Sequence, residues 1–217
     1  GVGALVVRTG TPLAPLHQPK SIAGIEAVAA ALPGLPSVAC FDTAFNATIP
    51  AAAATYALPA EWRERWDLRR FGFHGLSHAY ASRRVAELLR REGDAGLRVV
   101  TCHLGAGSSL AAVLGGRSVD TTMGFTPLEG LVMATRSGTV DPGLVLWLAD
   151  AGGLRVDEVT DGLEHRSGLM GLAGTADMRE VLAMAAAGDP QAGLALDAWG
   201  HRLRAGIAAM AAAMGGI

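Results

Sequence analysis

Two charged residues, Asp42 and Arg136, are the first candidates for a chemical role. Asp42 follows a short apolar run, and an aspartate at the carboxyl end of a buried strand lies where open α/β sheets bind ligands. It could bind Mg²⁺ or position a nucleophile, or it could simply cap a helix or a turn. Arg136 lies between Thr135 and Ser137. Its guanidinium could hold an anion through two parallel hydrogen bonds, or it could form a structural salt bridge.

The segment 103–109, His-Leu-Gly-Ala-Gly-Ser-Ser, predicts a tight turn with accessible backbone amides. Gly105 and Gly107 have no side chains to block an approaching phosphate, so their N–H groups could donate to its oxygens. The lysine of a Walker motif is absent, so the turn is not a P-loop. An ordinary hairpin turn would have a similar sequence.

Histidines form a third group of candidates. His74 and His78 lie four residues apart at a predicted helix start, where the helix dipole favours an anion. The spacing also resembles a metal-binding pair, but His74 precedes the predicted capping residue Ser77, so the two rings need not share a helical face. A zinc site is therefore not expected. His17 could donate to an anion or be an ordinary polar loop residue.

Hydrophobic periodicity and turn residues predict the elements that position these groups. Two helices are expected to begin at the serine caps Ser21 and Ser77, and two more at the Asp-Pro pairs 141–142 and 189–190. Strands are predicted over 37–41, 97–103 and 109–114. The expected core-facing residues are Ile22, Ile25, Val28 and Leu32; Ala81, Val85, Leu88 and Leu89; and Leu196, Trp199, Leu203, Ile207, Met210 and Met214.

Residues 120–138 have little periodicity and many turn residues, although they are apolar enough to be partly buried. A long irregular segment inside a domain usually has a functional reason. Elsewhere hairpins alternate with helical crossovers, which predicts an α/β fold with a mixed sheet. A domain boundary is expected near residues 42–50.

Composition excludes some classes of function. The net charge is -2 and Lys20 is the only lysine, so nucleic acid or an anionic membrane is not expected as a partner. No apolar run reaches membrane-spanning length and no signal peptide is evident, which favours a cytoplasmic location. Cys40 and Cys102 lie in apolar runs and are expected to be core thiols, because no disulfide or zinc spacing is present.

A series of segments resembles the acetate and propionate kinase family, in the family's order. The longest of them is Asp-Thr-Thr-Met-Gly-Phe-Thr-Pro-Leu-Glu-Gly at 120–130. The others are Ala-Pro-Leu-His-Gln-Pro (14–19), Phe-Asp-Thr-Ala-Phe (41–45), Arg-Phe-Gly-Phe-His-Gly-Leu-Ser-His (70–78), His-Leu-Gly-Ala-Gly-Ser-Ser (103–109), Thr-Arg-Ser-Gly (135–138), Ser-Gly-Leu-Met-Gly-Leu-Ala-Gly (167–174) and Asp-Met-Arg (177–179).

The resemblance implies the actin-like ATPase (ribonuclease H-like) fold, in which two α/β domains with mixed sheets enclose a nucleotide cleft. Residues 1–43 would be the remainder of the first domain and 44–217 most of the second, with the fold incomplete at both ends. The implied reaction is reversible transfer of the γ-phosphate of ATP to acetate, giving acetyl phosphate and ADP. Mg²⁺ is implied as cofactor, and a homodimer as the assembly.

The resemblance also implies roles for individual residues. The implied catalytic residues are Asp42, which would help to position the metal, Arg136, His74 and His17. The implied walls of the acetate pocket are Leu16, Phe73 and Pro127. The implied nucleotide-binding residues are His103, Gly105, Ala106, Gly107 and Ser108 in the hairpin, and Asp177, Met178 and Arg179 beside the adenosine.

This chain departs from the family pattern at Ala106, where an asparagine is usual, so a side-chain donor to the phosphates is lost. The chain also does not match in full three segments of the family: the opening strand, the segment with the second active-site arginine, and the closing Gly-Gly-Ile-Gly-Glu-Asn segment.

A second hypothesis is therefore a non-catalytic portion that retains nucleotide binding or dimerisation. A third is a hydrolase with a phosphohistidine or a nucleophilic serine, but this does not explain the segment around Arg136.

Overall fold

A three-stranded sheet in the order β1-β2-β3 is the framework of the molecule. The computed structural model describes residues 18–36 and 38–217, with side chains from Ser21 onward. Strands β1 (Arg98–Leu104), β2 (Ser108–Leu114) and β3 (Arg117–Thr121) follow one another in the chain. Each strand is joined to the next by a short glycine-containing turn. Neighbouring strands are therefore antiparallel throughout, and the expected mixed sheet is not seen among the described residues.

Helices lie before and after the sheet in the chain. Those before it are α1 (Gln18–Ala31), a 3-10 helix (Ala44–Thr48), α2 (Ala51–Ala54), α3 (Ala60–Trp66) and α4 (Gly75–Leu89). Those after it are α5 (Pro142–Ala149), α6 (Val156–His165), α7 (Gly168–Ala173), α8 (Met178–Ala186) and α9 (Pro190–Ala213). No helix in the described ranges is both long and apolar enough to cross a bilayer. Residues 122–141 form no helix or strand, as their composition predicted.

The core lies between the sheet and helix α9. Leu110 and Ala112 of β2 are fully buried and pack with Met210 of that helix and with Met214, the residue that follows it. The approach is close at Gly206, where a Cβ would lie 2.8 Å from Leu110 Cδ1. The predicted stripe of α9 is confirmed, because its C-terminal half joins this cluster and its N-terminal half joins a second cluster formed with α7 and α8.

Both Asp-Pro helix starts are confirmed. The Asp141 carboxylate accepts a hydrogen bond from Gly143 N at 2.9 Å, and the Asp189 carboxylate accepts from Gln191 N and Ala192 N. In each case the proline occupies the first turn, where its missing N–H costs no hydrogen bond. These two starts depend on neighbouring residues alone, which is why the sequence predicts them well.

The predicted start and buried face of α1 were wrong. The helix begins at Gln18, before Ser21. Its expected core residues are largely exposed, with Val28 at 51% and Leu32 at 50%. The physical reason is that the described elements leave this face uncovered, so hydrophobic periodicity alone gives no burial.

Helix α4 also differs from its prediction. It begins at Gly75, so Ser77 lies inside the first turn and does not cap the helix. Leu88 and Leu89 are exposed, whereas His78 and Ser82 are buried. This helix packs its polar side against polar side chains of the sheet, and an apolar-stripe argument cannot detect such a face.

The strand predicted over 37–41 is not formed. Residues 38–41 have no regular structure, and Ser37 lies outside the described residues. No described strand lies beside this segment to supply ladder hydrogen bonds, which a strand requires.

The prediction that both cysteines are buried was also wrong. Cys40 lies in this segment, Cys102 lies on an uncovered face of β1, and both are exposed.

Candidate active site

Asp42 organises the N-terminus of helix α4 from outside the helix. Its carboxylate accepts hydrogen bonds from His74 N at 2.6 Å and from Leu76 N at 3.4 Å, and its carbonyl accepts from Gly75 N at 2.8 Å. A Cβ at Gly75 would overlap the Asp42 carbonyl. The capping interpretation of this aspartate is therefore correct. Because a carboxylate has about four lone-pair positions, two N–H donors leave it able to accept further bonds.

His74 is the N-cap residue of α4 and has a left-handed backbone, with φ of 58°. This conformation is uncommon for a residue with a side chain, and strained residues cluster at functional sites. Its Nδ1 lies 2.9 Å from the Ser109 hydroxyl. The backbone and the ring of His74 are therefore held separately, one by Asp42 and the other by strand β2.

His74, His78, His103 and Ser109 form a histidine cluster under the helix start. The Ser109 hydroxyl also lies 2.7 Å from Nε2 of His78, and Nδ1 of His78 lies 2.8 Å from the Thr101 hydroxyl. Ser109 is opposite His103 in the β1–β2 ladder, which brings the strand side chains together. The rings of His74 and His103 stack with centroids 4.0 Å apart.

Burial determines the protonation of His78. Its side chain is only 1% exposed, and burial lowers its pKa to about 4, with further lowering from His74 and His103. The nearby Asp42 carboxylate partly offsets this. His78 is therefore neutral near pH 7, with one donor nitrogen and one acceptor nitrogen.

Gly107 separates His74 from Arg136. A Cβ at Gly107 would lie 3.3 Å from Nε2 of His74 and 3.3 Å from Nη1 of Arg136. All three residues line a cavity of about 360 Å³ together with Ala106, Ala134, Thr135 and Ala176. We call this the transfer cavity. The missing side chain at Gly107 allows the imidazole and the guanidinium to face the same small space.

Arg136 has no acidic partner among the described residues. Its Nη1 donates to the Pro127 carbonyl at 3.3 Å and approaches the Met133 sulfur at 3.9 Å. No carboxylate of the described ranges forms a salt bridge with it, so the salt-bridge interpretation is not supported. A half-buried guanidinium with spare donors is suited to bind an anion.

The backbone around Arg136 depends on two glycines. Gly138 and Gly168 have φ values of 70° and 64°. A Cβ at Gly138 would overlap the Leu131 carbonyl, and one at Gly168 would overlap the Met133 carbonyl. Helices α6 and α7 support the same loop, because Ser137 N donates to Leu163 O and Leu169 N donates to Met133 O. The loop is therefore fixed although it has no regular structure.

Tyr56, Arg70 and Glu129 form an ionic cluster that holds the segment containing Pro127. Arg70 Nη2 pairs with Glu129 at 2.7 Å, and the Tyr56 hydroxyl donates to the same carboxylate at 2.6 Å. Arg70 Nη1 also donates to the carbonyls of Thr121, Thr122 and Met123. A Cβ at Gly124 would overlap both the carboxylate and the phenol. Sequence reasoning missed this cluster, although 70 and 120–130 lie in motif segments.

A larger cavity of about 670 Å³ adjoins the transfer cavity. It is lined by Gly105, Ala106 and Ser108 of the hairpin and by Asp177 and Met178 at the start of α8. The other lining residues include Met133, Ala134, Ala176, Leu196 and Trp199. Ala106, Ala134 and Ala176 line both cavities. We call it the hairpin cavity.

The predicted nucleotide-binding residues differ in how they meet the hairpin cavity. Asp177 caps α8 by accepting from Arg179 N at 2.9 Å, and its carboxylate pairs with the Arg179 side chain. That pairing lowers the pKa of Asp177 to about 2. The Ser108 hydroxyl donates to the Gly105 carbonyl at 3.1 Å. Asp177, Met178, Gly105 and Ser108 thus meet at the cavity, while the Arg179 guanidinium is directed to Asp177.

The remaining predicted residues are placed as follows. Phe73 is half-buried immediately before His74, and Pro127 contacts Arg136 through its carbonyl. Leu16 and His17 lie outside the described residues. His103 contributes to the histidine cluster, with Nδ1 2.9 Å from the Ser77 hydroxyl.

The described histidines form no three-ligand metal site, and the hairpin serines are not exposed nucleophiles. Within the part of the chain that the structure describes, no group of three His, Cys, Asp or Glu residues could hold a metal ion. Ser108 and Ser109 are 2% and 0% exposed, so neither hydroxyl is open to an incoming substrate. The hydrolase hypothesis with a serine nucleophile in this hairpin is therefore not supported.

A third cavity of about 510 Å³ lies beside the C-terminal half of α4, away from the histidine cluster. Most charged residues in its lining are paired, as Arg91 with Asp94 at 2.6 Å and Arg83 with Glu87 at 3.8 Å, and Glu92 also lines it. Because the lining is largely apolar and contains neither the histidine cluster nor Arg136, the cavity has little to bind a phosphoryl group. The two adjoining cavities at the hairpin are the better candidate site.

A glycine-containing hairpin, a histidine and an arginine with no acidic partner among the described residues thus lie around two adjoining cavities. Comparisons with known proteins give the family. The model of the acetokinase family matches residues 5–217, and the chain belongs to that family. Its fold is therefore the actin-like ATPase fold that these kinases share.

The relatives are similar over almost the whole chain. The acetate kinase of Deinococcus radiodurans is 53% identical over 96% of this chain and 52% of its own length. That of Nostoc punctiforme is 50% identical over 94% of this chain and 50% of its own. The chain thus spans about half the length of the curated relatives it matches.

Solved structures give the same result. The crystal structure of Porphyromonas gingivalis acetate kinase superposes with a TM-score of 0.92 and 40% identity, covering 99% of this chain and 54% of that one. A propionate kinase from Francisella tularensis gives a TM-score of 0.90 and 43% identity over 95% of this chain and 53% of that one.

Proposed function

We propose that the chain carries the phosphoryl-transfer side of a kinase that moves the γ-phosphate of ATP to a short carboxylic acid, reversibly forming an acyl phosphate and ADP. The observation that carries this proposal is that the hairpin cavity and the transfer cavity share the lining residues Ala106, Ala134 and Ala176, and so lie side by side. A nucleotide in the first would direct its terminal phosphate into the second. Acetate is the acid we favour, because close relatives bear the name acetate kinase.

In this proposal Arg136 stabilises the phosphoryl group during transfer. Phosphoryl transfer requires in-line positioning and charge neutralisation more than covalent chemistry. Donors fixed before the reaction supply that stabilisation without reorganisation. Arg136 is suited to the role because its loop is fixed and its guanidinium has no carboxylate partner among the described residues. His74 would contact the same group from the other side of Gly107.

Asp42 is the residue that fits the implied Mg²⁺. The ion usually keeps several waters and binds through one or two carboxylates plus substrate phosphates, so a dedicated cage of ligands is not required. Asp42 retains acceptor capacity beyond its two backbone bonds. When bound, Mg²⁺ would neutralise charge on the β- and γ-phosphates.

The hairpin cavity is proposed to take the nucleotide. Its apolar lining, which includes Met178, Leu196 and Trp199, suits a base. The Gly105 N–H already donates to the Gly107 carbonyl at 3.1 Å, so the backbone amides of Ala106 and Gly107 are the ones the turn would offer to the phosphates. His103 supports the turn from β1, since its Nε2 would lie 3.2 Å from a Cβ at Gly105. Arg179 would contribute indirectly, by pairing with the Asp177 carboxylate that lines this cavity.

Phe73 and Pro127, with Leu16, are proposed to bound the acid-binding pocket. A methylene group is worth only about 1–3 kcal/mol in such a pocket. The preference for acetate over propionate is thus a matter of pocket shape, and one similar structure is named as a propionate kinase. His17 as a further active-site group, a homodimer and a cytoplasmic location all stay predictions from the family resemblance.

An acetyl phosphate assay with Mg²⁺, ATP and acetate on the 217-residue chain tests the proposal. Arg136→Ala should lower turnover by about 10³-fold or more. Arg166→Ala is the matched control, because Arg166 is an exposed arginine paired with Asp161 at 2.6 Å. Turnover that survives Arg136→Ala would contradict the assignment. Saturable ATP binding by a folded chain without turnover would instead support the non-catalytic alternative.

A further inference from the structure

A chain of hydrogen bonds runs from the transfer cavity into the sheet. It starts at Nδ1 of His74, passes through the Ser109 hydroxyl and the ring of His78, and ends at the Thr101 hydroxyl. The three inner members are at most 5% exposed. Beyond His74, the side chains in this series of hydrogen bonds are buried. The positions of their hydrogens are therefore set by other protein groups alone.

The direction of the hydrogen bonds follows from the inner end. Thr101 Oγ1 lies 3.4 Å from the Ala111 carbonyl and is placed to donate its single hydrogen there. With that hydrogen used, Oγ1 accepts from Nδ1–H of His78, 2.8 Å away. Since His78 is neutral, its Nε2 is an acceptor and takes the hydrogen of Ser109. The Ser109 oxygen can then accept from Nδ1–H of His74.

We propose that Ser109 and His78 are positioning residues that hold His74 as the Nδ1–H tautomer, with Nε2 presented to the transfer cavity beside Arg136. This inference rests on the proposed function of that cavity. It assigns a purpose to two residues for which the family resemblance gave no role. The orientation of the ring and the position of its proton are set by the same hydrogen bond, as in other hydrogen-bonded histidine pairs.

The surroundings of the His74 ring are consistent with a fixed orientation. His103 stacks on the ring, Arg136 lies across Gly107 from it, and the Asp42 carboxylate accepts from the His74 backbone N–H.

Imidazole ¹⁵N NMR of the 217-residue chain without nucleotide tests the inference. His74 is assigned by comparison with His74→Gln. At a pH where the His74 ring is neutral, we expect its Nδ1 to carry the proton and Nε2 to show the shift of an unprotonated nitrogen, with His78 in the same tautomer. An Nε2–H tautomer at His74 in the unaltered chain would overturn the inference.

Two variants separate positioning from simple packing. Ser109→Ala should shift the His74 tautomer ratio about three- to tenfold towards Nε2–H, the change that one hydrogen bond supports. Thr101→Val keeps the side-chain shape and should weaken the same preference by freeing His78. Ser118→Ala is the control, since that buried hydroxyl bonds to Asn46 at 2.9 Å, away from the histidines. An unchanged His74 ratio in folded Ser109→Ala and Thr101→Val would overturn the inference.

The outcome of this NMR experiment does not depend on the outcome of the activity assay. The tautomer is measured on the free chain, so it does not depend on nucleotide binding or turnover. A correct tautomer with no kinase activity would retain the hydrogen-bond assignment and reject the proposed function. Activity with the wrong tautomer would reject the positioning role only. In an active chain, Ser109→Ala should lower kcat per folded molecule at unchanged KM for acetate, with the folded fraction measured by circular dichroism, because a loss of folding alone would lower that fraction and leave kcat per folded molecule unchanged.

Discussion

The ionic cluster lies at the end of strand β3 and the histidine cluster lies beside β1 and β2, and the two have different roles. Arg70 and Glu129 carry full charges that are paired at 2.7 Å and further bonded to Tyr56 and to three carbonyls. The histidine cluster contains no such pair at its centre: His78 and Ser109 are buried and neutral. In one cluster an ion pair uses its charges fully, and in the other single hydrogen bonds hold a neutral, buried His78.

This difference shows what each cluster can do. An ion pair whose hydrogen-bonding groups are all used, some of them by backbone carbonyls, holds the backbone in one conformation. Here it holds the irregular segment that positions Pro127 beside Arg136. It has no spare group to offer a substrate. The histidine cluster fixes one ring through the neutral side chains behind it, and leaves that ring at the edge of a cavity. Buried polar networks serve both purposes when every member is satisfied.

The largest expected effect comes from breaking the ionic cluster. Glu129→Ala leaves Arg70 and Tyr56 without their common acceptor, and should lower the free energy of unfolding by about 2–3 kcal/mol in urea denaturation. Glu87→Ala, which removes exposed pairs with Arg83 and Arg84, should cost less than about 1 kcal/mol. Equal losses in the two variants would mean that the ionic cluster does not fix the segment.

Acid should weaken the histidine cluster. The pKa of His78 is held near 4 in the folded protein, against about 6.5 in the unfolded chain. The unfolded state therefore takes up a proton first, so stability is full above about pH 6.5 and is lost as pH falls towards 4. Linkage gives a loss of about 2 kcal/mol between pH 7 and pH 5. Urea denaturation across this range should show a shallower slope in His78→Gln; identical slopes would contradict the buried neutral ring.

Alkali should weaken the ionic cluster by a smaller amount. Burial and the Glu129 carboxylate raise the pKa of Tyr56 to about 12, above the usual value for tyrosine of about 10. Its contribution is thus complete below pH 10 and is lost as pH rises towards 12. Because the phenol is only half-buried, the loss should be below that of His78. Thermal melts at pH 9 and 11 should show a steeper decline for the unaltered chain than for Tyr56→Phe.

The smallest effect concerns the hairpin. Ala106 lines both cavities and lacks the side-chain donor that an asparagine would supply. Ala106→Asn should tighten ATP binding severalfold, the gain expected of one added hydrogen bond. Quenching of tryptophan fluorescence gives the measurement, because Trp199 lines the hairpin cavity, and Trp199→Phe identifies its signal. Weaker binding in Ala106→Asn would indicate that the turn does not contact phosphate.

Local signals in the sequence predicted the parts of the fold that depend on neighbouring residues. The hairpin at 105–107 and the caps at Asp141 and Asp189 are examples, as is the buried stripe of α9. The start of α4 could not be predicted in this way, because its cap is Asp42, 32 residues before His74. A side chain supplied from so far away leaves no mark in the periodicity of the helix.

The candidate site was predicted in its parts but not in its connections. Motif segments identified Arg136, His74 and the hairpin, and the structure brings these three together around Gly107. The supporting residues Tyr56, Ser109 and Thr101 are ordinary in type and gain their roles only from strand register and long-range contacts. Hydrogen bonds between residues 31 and 73 positions apart cannot be read from local spacing.

The most direct test of the central claim compares ATP and ADP binding by calorimetry in Mg²⁺, before and after Arg136→Ala. If the hairpin cavity holds the nucleotide and the transfer cavity holds the terminal phosphate, the variant should weaken ATP binding about tenfold and ADP binding less than about twofold. An equal weakening of both nucleotides, or no binding of ATP by the folded unaltered chain, would contradict the account.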